Sequence, residues 1–526
     1  MSAVGREQLI TLSHCNWDLR LTTTLISLSL NSSLTISNSL MQHLSIPIIG
    51  LAVAVFVLIF LVLRTKVHAL IAMIIAACIA GMAGGLTASK TIDAITQGFG
   101  STLGTIGIVI GLGVMMGRIL EVSGAAEQIA YSFIRWLGNR REEWALAMTG
   151  YLASIPIFAD SAFVILFPIA KAISKKGRRS LLTMSVALAG GLVVTHCLVP
   201  PTPGPLGAAG LFGADIGAMM LTGMLFAVPC TVAFVLYAQW LGKRYPGIPG
   251  EILTTEEIKT IQDNYVKEKE GKTLPSLTLS LLPILVPILL IIIKAVILLF
   301  PSIDNTQSTS LHLIVQSFIF IGSPIIALCI STLLAVYTLV PRLNRHQTFQ
   351  RLEEGLQSAG IILMVTGAGG ALGFVVRETG TGTQLAAQIS KLPFSPVMIP
   401  FLVATAIRLI QGSGTVAMIT AASITAPILS QVPGMNMLLA AQAAAMGSLF
   451  FSYFNDSLFW VVNRMIGVAD PKLQMMVWSI PTSIAWAVGG ILIAVANLLF
   501  ASGGSWLDPL IPMIGLGIIF IVLRRK

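Results

Sequence analysis

An amide, a carboxylate and a hydroxyl occur side by side at Asn455-Asp456-Ser457, inside a stretch that otherwise has the apolar composition of a membrane-spanning helix. A charged side chain is costly at membrane depth, so it usually faces a protein-lined cavity on the path of an ion or a substrate. An interfacial loop that merely ends a helix is the simpler alternative. A similar polar break, Ala159-Asp160-Ser161, lies in the first half of the chain and favours the transport site.

Two further polar breaks, His196 to Gly204 and Gln411 to Thr415, interrupt other apolar stretches. Their Gly and Pro residues free backbone groups, which membranes tolerate only where they are buried in protein or line a cavity. The N-termini of half-helices can bind an anion, and hydroxyls and amides can bind a carboxylate or a polyol. We therefore predict a site for a small hydroxylated carboxylate, formed by Ser161, Thr202, Gly204, Arg408, Gln411, Gly412, Ser413, Thr415, Asn455 and Ser457.

Coupling to an ion gradient needs a group that changes charge, and three residues could supply it: Asp160, Asp456 and His196. Burial disfavours the charged form of a carboxylic acid, and histidine titrates near neutral pH. Simpler roles are helix capping for the aspartates and a neutral, backbone-bonded ring for His196. Arg408 could pair with the substrate carboxylate or with a neighbouring acid such as Asp160 or Asp456.

The composition sets the class of protein. Of 526 residues, 55% are hydrophobic and 10% charged, and the mean hydropathy is +0.88. Apolar runs of about 18 residues or more recur along the chain, which predicts an all-α polytopic membrane protein in the lipid bilayer. The net charge of +10 comes from short basic clusters between the spans. That pattern sets topology and does not indicate a nucleic-acid partner.

Four regions follow from the distribution of charge. Residues 1–45 form a polar extension, which is either an extracytoplasmic tail or untranslated, since Met41 directly precedes the first span. A first transmembrane repeat occupies 46–241, a hydrophilic cytoplasmic linker 242–274, and a second repeat 275–526. The second repeat ends in an additional helix at about 509–523.

The two halves match at a constant offset. Several residues of the first half have the same type as the residue 256 positions later in the second half. Gly113 corresponds to Gly369, Gly117 to Gly373, and Met219-Met220 to Met475-Met476. Broken apolar stretches at 145–173 and 397–430 hold similar places in the two halves. Interrupted segments in paired repeats point to a transporter. We predict two inverted repeats of about five transmembrane helices and one re-entrant hairpin each.

Basic clusters set the predicted topology. Those at 135–141 and 171–179 flank the first broken stretch, so both are cytoplasmic and the stretch is a hairpin. This gives eleven spans, with the N-terminus outside and the C-terminus in the cytoplasm. If each hairpin were two short spans, the count would rise to about thirteen.

Enzyme motifs are incomplete. Gly271-Lys272-Thr273 resembles the end of a P-loop, but Val266 stands where a glycine is required. There is no HExxH or GxSxG motif, so we predict no enzyme, metal site or cofactor. A membrane-embedded enzyme using Asp160, His196 and Asp456 is the alternative from another class, and a passive channel is a further one.

The breaks resemble the gluconate:proton symporter (GntP) family of bacterial permeases over roughly 46–523. The motifs that carry the resemblance are Ile155 to Ser161, His196 to Pro205, Arg408 to Ala417 and Asn455 to Trp460. The resemblance implies proton-coupled uptake of gluconate or a similar acid across the inner membrane, and an inverted-repeat fold that is often a homodimer.

This chain departs from the family pattern near the predicted site. Many gluconate-type members have His where Thr202 and Tyr453 stand. Glycerate, other aldonates and D-serine, which relatives carry, therefore stay open as substrates. Sodium coupling at the hairpin tips is an alternative to protons.

Overall fold

A computed structural model describes residues 46–65, 67–137, 141–177, 180–245, 274–299, 309–341, 344–500 and 504–524. Within these ranges the chain is helical and contains no β-strand. The predicted extension 1–45 and most of the predicted linker 242–274 lie outside the described residues. The predicted all-α membrane fold is thus confirmed for the described part of the chain.

The first half forms nine helices in its described residues. They are α1 (Ile46–Arg64), α2 (Ala69–Ala83), α3 (Ala88–Ser123), α4 (Ala125–Leu137), α5 (Glu142–Ala153), α6 (Ala159–Gly177), α7 (Leu181–Leu198), α8 (Pro203–Phe212) and α9 (Ile216–Arg244).

The second half continues with α10 (Leu277–Leu299), α11 (Thr309–Ile321), α12 (Pro324–Leu339), α13 (Arg345–Glu378), α14 (Thr381–Ile389), α15 (Met398–Gln411), α16 (Gly414–Leu429), α17 (Met437–Gly447), α18 (Ser457–Ile466) and α19 (Pro471–Gln474). A π-helical turn (Met475–Ser479) then leads into α20 (Ile480–Phe500), and α21 (Leu510–Arg524) ends the described chain.

Six helical segments in the described residues are long and apolar enough to cross a membrane, or seven if α11 and α12, bent by 68° at their junction, form one span. Several other apolar helices have only 10–17 residues. They are shorter than the ~20 residues that a single crossing requires. The eleven predicted spans therefore exceed the number of helices with full spanning length, because the polar breaks divide several apolar stretches.

Corresponding helices begin at corresponding places in the two halves. α5 begins at Glu142 and α15 at Met398, while α7 begins at Leu181 and α17 at Met437. Both pairs keep the offset of 256 positions that the sequence shows. Packing recurs as well, since α7 packs on α5, α6 and α9, and α17 packs on α15, α16 and α20. At the same offset, α11 and α12 fall opposite parts of α1 and α2, respectively.

The long helices α3 and α13 pack against each other through small residues. The Cα position of Gly98 near the start of α3 faces Ala371 and Phe374 near the end of α13, while Gly355 near the start of α13 faces Val114 of α3. The two helices therefore run in opposite directions, as an inverted repeat requires. The inverted relation of the complete halves stays a prediction.

Each predicted polar break separates two helices. The first lies between α5 and α6, the second between α7 and α8, the third between α15 and α16, and the fourth between α17 and α18. Local chemistry explains the third break: Gly412 ends α15 at φ +83°, and the Ser413 hydroxyl accepts the Val416 N–H at 3.4 Å to begin α16. At the second break, Pro203 begins α8, where its missing N–H costs no helical bond.

The contact between α3 and α13 predicts opposite effects for two neighbouring glycines. A Cβ at Gly98 would lie 2.5 Å from Cβ of Phe374 and 2.6 Å from the Gly370 carbonyl oxygen, whereas a Cβ at Gly100 would meet nothing within 4 Å. Gly98→Ala should destabilise the protein by about 1–3 kcal/mol through overpacking. The control Gly100→Ala, on the exposed side of the same helix, should be neutral or stabilising. Thermal unfolding in detergent measures both, and equal effects would contradict this packing.

Candidate functional site

A buried ion pair lies between the third and fourth breaks. Arg408, in the last turn of α15, donates from Nη2 to Oδ2 of Asp456 at 2.7 Å. The side chains are 4% and 12% exposed, respectively. Arg408 thus pairs with a neighbouring acid, one of the two roles that the sequence left open for it.

Asp456 also caps a helix. Its Oδ1 accepts the Leu458 N–H at 3.4 Å at the start of α18, which is the simpler role considered for this aspartate. The hydroxyl of Ser452 donates a short hydrogen bond to the same Oδ2 that Arg408 contacts. The carboxylate is therefore held from three directions: a guanidinium, a hydroxyl and a helix N-terminus.

Asp160 joins the first break to the fourth. It is the second residue of α6, and its Oδ2 accepts a hydrogen bond from the Ser457 hydroxyl of α18 at 2.8 Å, across 297 positions of sequence. Asp456 and Arg408 lie close enough for their charges to act on Asp160. The structure thus brings the polar breaks of both halves together, as the sequence predicted.

The third and fourth breaks also touch through their backbones. A Cβ at Gly412 would lie 2.2 Å from the Asn455 carbonyl oxygen, so only glycine fits there. Asn455 donates from Nδ2 to the carbonyls of Leu409 and Ile410 at 3.4 and 3.3 Å, and Tyr453 donates its phenol proton to Leu409 at 2.7 Å. These bonds satisfy carbonyls that the end of α15 leaves without a helical partner.

Four buried polar atoms at this site have no hydrogen-bond partner among the described residues. They are Nε and Nη1 of Arg408, Oδ1 of Asn455 and Nδ1 of His196. Buried polar groups are normally satisfied, so each such atom in a native fold requires an explanation. Two cationic donors beside an amide acceptor could bind a carboxylate and a hydroxyl of the same small molecule.

His196 lies at the end of α7, with its ring centroid 5.6 Å from that of Phe158 in the first break. The negative charge of Asp456 acts on it. The described residues give Nδ1 no backbone carbonyl partner, so the neutral, backbone-bonded histidine considered as its simpler role is not what the structure shows at that atom.

The other predicted residues occupy different places. Thr202 is buried and donates to the Val199 carbonyl at 2.6 Å, so it closes the turn before α8. The Cα position of Gly204 faces Thr415, which brings the second and third breaks into contact. Ser161 follows Asp160 and is half-buried.

Gln411 lines a separate, small and mostly apolar cavity. Apolar residues of α1 and α2 form most of the opposite wall, among them Leu58 and Met73. Arg408 and Asp456 are not among the residues that line this cavity, and the place of Gln411 beside the substrate stays a prediction.

Sequence reasoning missed two residues that support the ion pair: Ser452, which donates to Asp456, and Trp478, whose Nε1 donates to the Ser452 hydroxyl at 2.8 Å. Ser452 lies four positions before Asp456, next to the fourth polar break, but the sequence does not indicate which group a serine hydroxyl will bond. Trp478 lies in an ordinary apolar helix in the sequence. One general signal could have identified Trp478: a buried indole N–H needs a hydrogen-bond acceptor.

The comparisons with known proteins agree with these features. A model of the GntP family permeases matches residues 46–499. The chain belongs to the GntP permease family. Members of this family are transporters, so the chain is a membrane permease and not an enzyme, as the sequence predicted.

Three relatives show the range of names within the family. An "Uncharacterized permease" of Haemophilus influenzae is 63% identical, covering 92% of this chain and 99% of its own. The "Gluconate permease" of Pseudomonas aeruginosa is 32% identical over 87% of this chain and 99% of its own. The "D-serine transporter DsdX" of Escherichia coli K12 is 34% identical over 72% and 81%, respectively.

The fold resembles that of a solved transporter. The structure of MtrF from Neisseria gonorrhoeae matches with a TM-score of 0.59 over 85% of this chain and 99% of that one. The identity is 12%, so the match concerns the fold alone.

The burial of the Arg408–Asp456 pair predicts a large loss of stability when one partner is removed. Arg408→Met should destabilise the protein by about 3–5 kcal/mol, because it leaves a buried carboxylate uncompensated. Arg351→Met is the matched control, since Arg351 pairs with Glu354 at 3.1 Å with both side chains about one-quarter exposed. Such pairs contribute about 0–1 kcal/mol. Chemical unfolding in detergent measures both, and a small effect at Arg408 would show that its pair is solvated.

Proposed function

We propose that this permease imports gluconate or a related small hydroxy-carboxylate across the inner membrane, together with protons. The observation that carries the proposal is the buried guanidinium of Arg408, which pairs with Asp456 through Nη2 and keeps Nε and Nη1 without a partner among the described residues. We place the N-terminus outside and the C-terminus in the cytoplasm, as the basic clusters predict.

The geometry suits a carboxylate that carries a neighbouring hydroxyl. Nε–H and Nη1–H point away from different edges of the guanidinium, so each can donate a separate hydrogen bond, one to a carboxylate oxygen and one to a hydroxyl oxygen of the same small acid. Asn455 provides a buried acceptor, Oδ1, for a hydroxyl proton. Asn455 lies beside the last turn of α15, which carries Arg408, because its Nδ2 donates to the carbonyls of Leu409 and Ile410.

Charge favours the uptake of a cation with the substrate. With both carboxylates ionised and His196 neutral, Asp160 and Asp456 exceed Arg408 by one negative charge. A second uncompensated negative charge is costly in a dry interior. A proton that binds with each substrate anion keeps the charge of the cluster constant. Proton symport therefore accounts for the site in electrostatic terms.

Asp160 is the better proton carrier of the two aspartates. Asp456 forms an ion pair with Arg408 and accepts a hydrogen bond from Ser452. Asp160 has a hydroxyl donor, Ser457, and no ion pair among the described residues. The like charge of Asp456 acts on it as well, so protonation of Asp160 relieves a repulsion.

Uptake into proteoliposomes tests the proposal. Labelled gluconate, glycerate and D-serine are each offered with an inward proton gradient and, separately, with an inward sodium gradient. We expect proton-driven accumulation of a hydroxy-carboxylate. Accumulation driven only by the sodium gradient would show that sodium, and not the proton, is the coupling ion. If no hydroxy-carboxylate accumulates under either gradient, the proposed substrate class is wrong.

The assigned role of Asp160 predicts a separation of exchange from accumulation. Asn mimics a permanently protonated Asp160, so Asp160→Asn should abolish proton-driven accumulation while substrate counterflow continues. Asp470→Asn is the matched control, because Asp470 is an exposed helix cap whose role asparagine can also fill. Normal proton-driven accumulation by Asp160→Asn would assign the proton to another group.

A D-serine carrier is the second candidate, and it is favoured by the carboxylate of Asp160, which has no ion-pair partner among the described residues. A zwitterion brings its own ammonium group, which Asp160 could receive while Arg408 binds the carboxylate. In that case Asp160→Asn should abolish counterflow of D-serine as well as its accumulation. The same variant therefore separates the two substrates.

A further inference from the structure

The π-helical turn that precedes α20 reaches the site through Trp478. This side chain is fully buried, and its Nε1 donates to the Ser452 hydroxyl oxygen at 2.8 Å. Ser452 in turn donates to Asp456. Isolated π-helical turns often occur at functional sites because the extra residue redirects the side chains that follow.

The same segment also fixes the backbone of Ser452. The Ser479 hydroxyl donates to the Ser452 carbonyl at 2.6 Å, and the Ser452 N–H donates to the Thr482 hydroxyl at 3.3 Å. The residue before it, Phe451, has φ +29°, a conformation that side chains other than glycine rarely adopt. Ser452 is therefore held at both its backbone and its hydroxyl by residues 478–482.

A helix of the first half supports the turn from behind. Tyr237 of α9 donates its phenol proton to the Met476 carbonyl at 2.8 Å, and the Tyr245 hydroxyl lies 3.4 Å from the Met476 sulfur. The ring centroid of Phe234 lies 6.2 Å from that of Trp478. The position of Trp478 is thus set by α9 as well as by its own helix.

Hydrogen-bond polarity gives the contact a direction. An indole N–H can only donate, so it occupies a lone pair of the Ser452 oxygen and leaves the single hydroxyl proton for another acceptor. That acceptor is Oδ2 of Asp456, which also receives Nη2 of Arg408. While Oδ2 of Asp456 accepts the hydrogen bond from Nη2, the other two donors of the Arg408 guanidinium, Nε and Nη1, keep one orientation.

We propose that Trp478 and Ser452 are positioning residues for substrate binding: they fix the Asp456 carboxylate so that Arg408 presents its unpaired donors, Nε and Nη1, to the transported acid. Neither residue touches the substrate. The inference rests on the proposed function and adds to it a requirement for the π-helical turn.

Kinetics of uptake test this role with a matched control. Trp486 is also buried, lies on α20 and donates to a hydroxyl, Thr405, at 2.8 Å, but it has no bond to the ion pair. We expect Ser452→Ala to raise KM about tenfold, as for the loss of a hydrogen bond to a charged group, with little change in the maximal rate. Trp478→Phe should raise KM about threefold, and Trp486→Phe should leave it within about twofold.

The double variant provides a second criterion. Because both residues act through one hydroxyl, Ser452→Ala with Trp478→Phe should raise KM no more than Ser452→Ala alone. Multiplied effects, or a fall in maximal rate with KM unchanged, would overturn the positioning role while leaving the transport function in place.

An unfolding measurement separates failure of this inference from failure of the proposed function. The loss of stability caused by Arg408→Met should be smaller in the Ser452→Ala protein than in the wild type, and unchanged in Trp486→Phe. Equal losses in all three would overturn the positioning role without reference to any substrate. Wild-type protein that accumulates no hydroxy-carboxylate, with the stability pattern as expected, would overturn the function and leave the coupling of Ser452 to the ion pair standing.

Discussion

The ion pair between Arg408 and Asp456 is the interaction on which the site depends. Burying two charges costs several kcal/mol for each ion, and the pair persists only where other polar groups complete its coordination. Here Ser452, the N-terminus of α18 and, beyond them, Trp478 provide those groups. The C-terminus of α15, the N-terminus of α18 and the π-helical turn therefore meet near the Asp456 carboxylate. Phe451, at φ +29°, directly precedes Ser452 there. The contact of Asp160 with Ser457 then ties the first half of the chain to the same point.

The sequence alone predicted where the polar breaks lie but not which side chains contact one another there. Aspartates, glycines and prolines inside apolar runs are conspicuous, and each of the four breaks is where they indicated. The partner of Arg408 stayed open because Asp160 and Asp456 are equivalent in a sequence, and only the fold places Nη2 2.7 Å from one of them. Trp478 escaped notice because its role depends on a π-helical turn, which changes the direction of a side chain without any distinctive residue type.

Hydropathy predicted helix positions well and spanning length poorly. The apolar stretch that precedes the second break coincides with α7 (Leu181–Leu198), whereas the apolar run 318–340 is divided between α11 and α12. The division follows from Gly322, Ser323 and Pro324, since proline begins a helix readily and disfavours a helical conformation in the residue before it. An average over a window of residues cannot register a bend of this kind, because both arms of the bend are apolar.

The helix α21 is the additional helix that the sequence predicts at the end of the second repeat, and it makes the two predicted repeats unequal. Two identical halves in inverted orientation would give the outward-open and inward-open forms the same free energy, because exchanging the halves converts one form into the other. An element present in one half alone removes this degeneracy. The ratio of the two forms in the absence of substrate then depends on how α21 packs on α20. Affinity measured from one side of the membrane therefore includes that conformational preference as well as the contacts of the binding site.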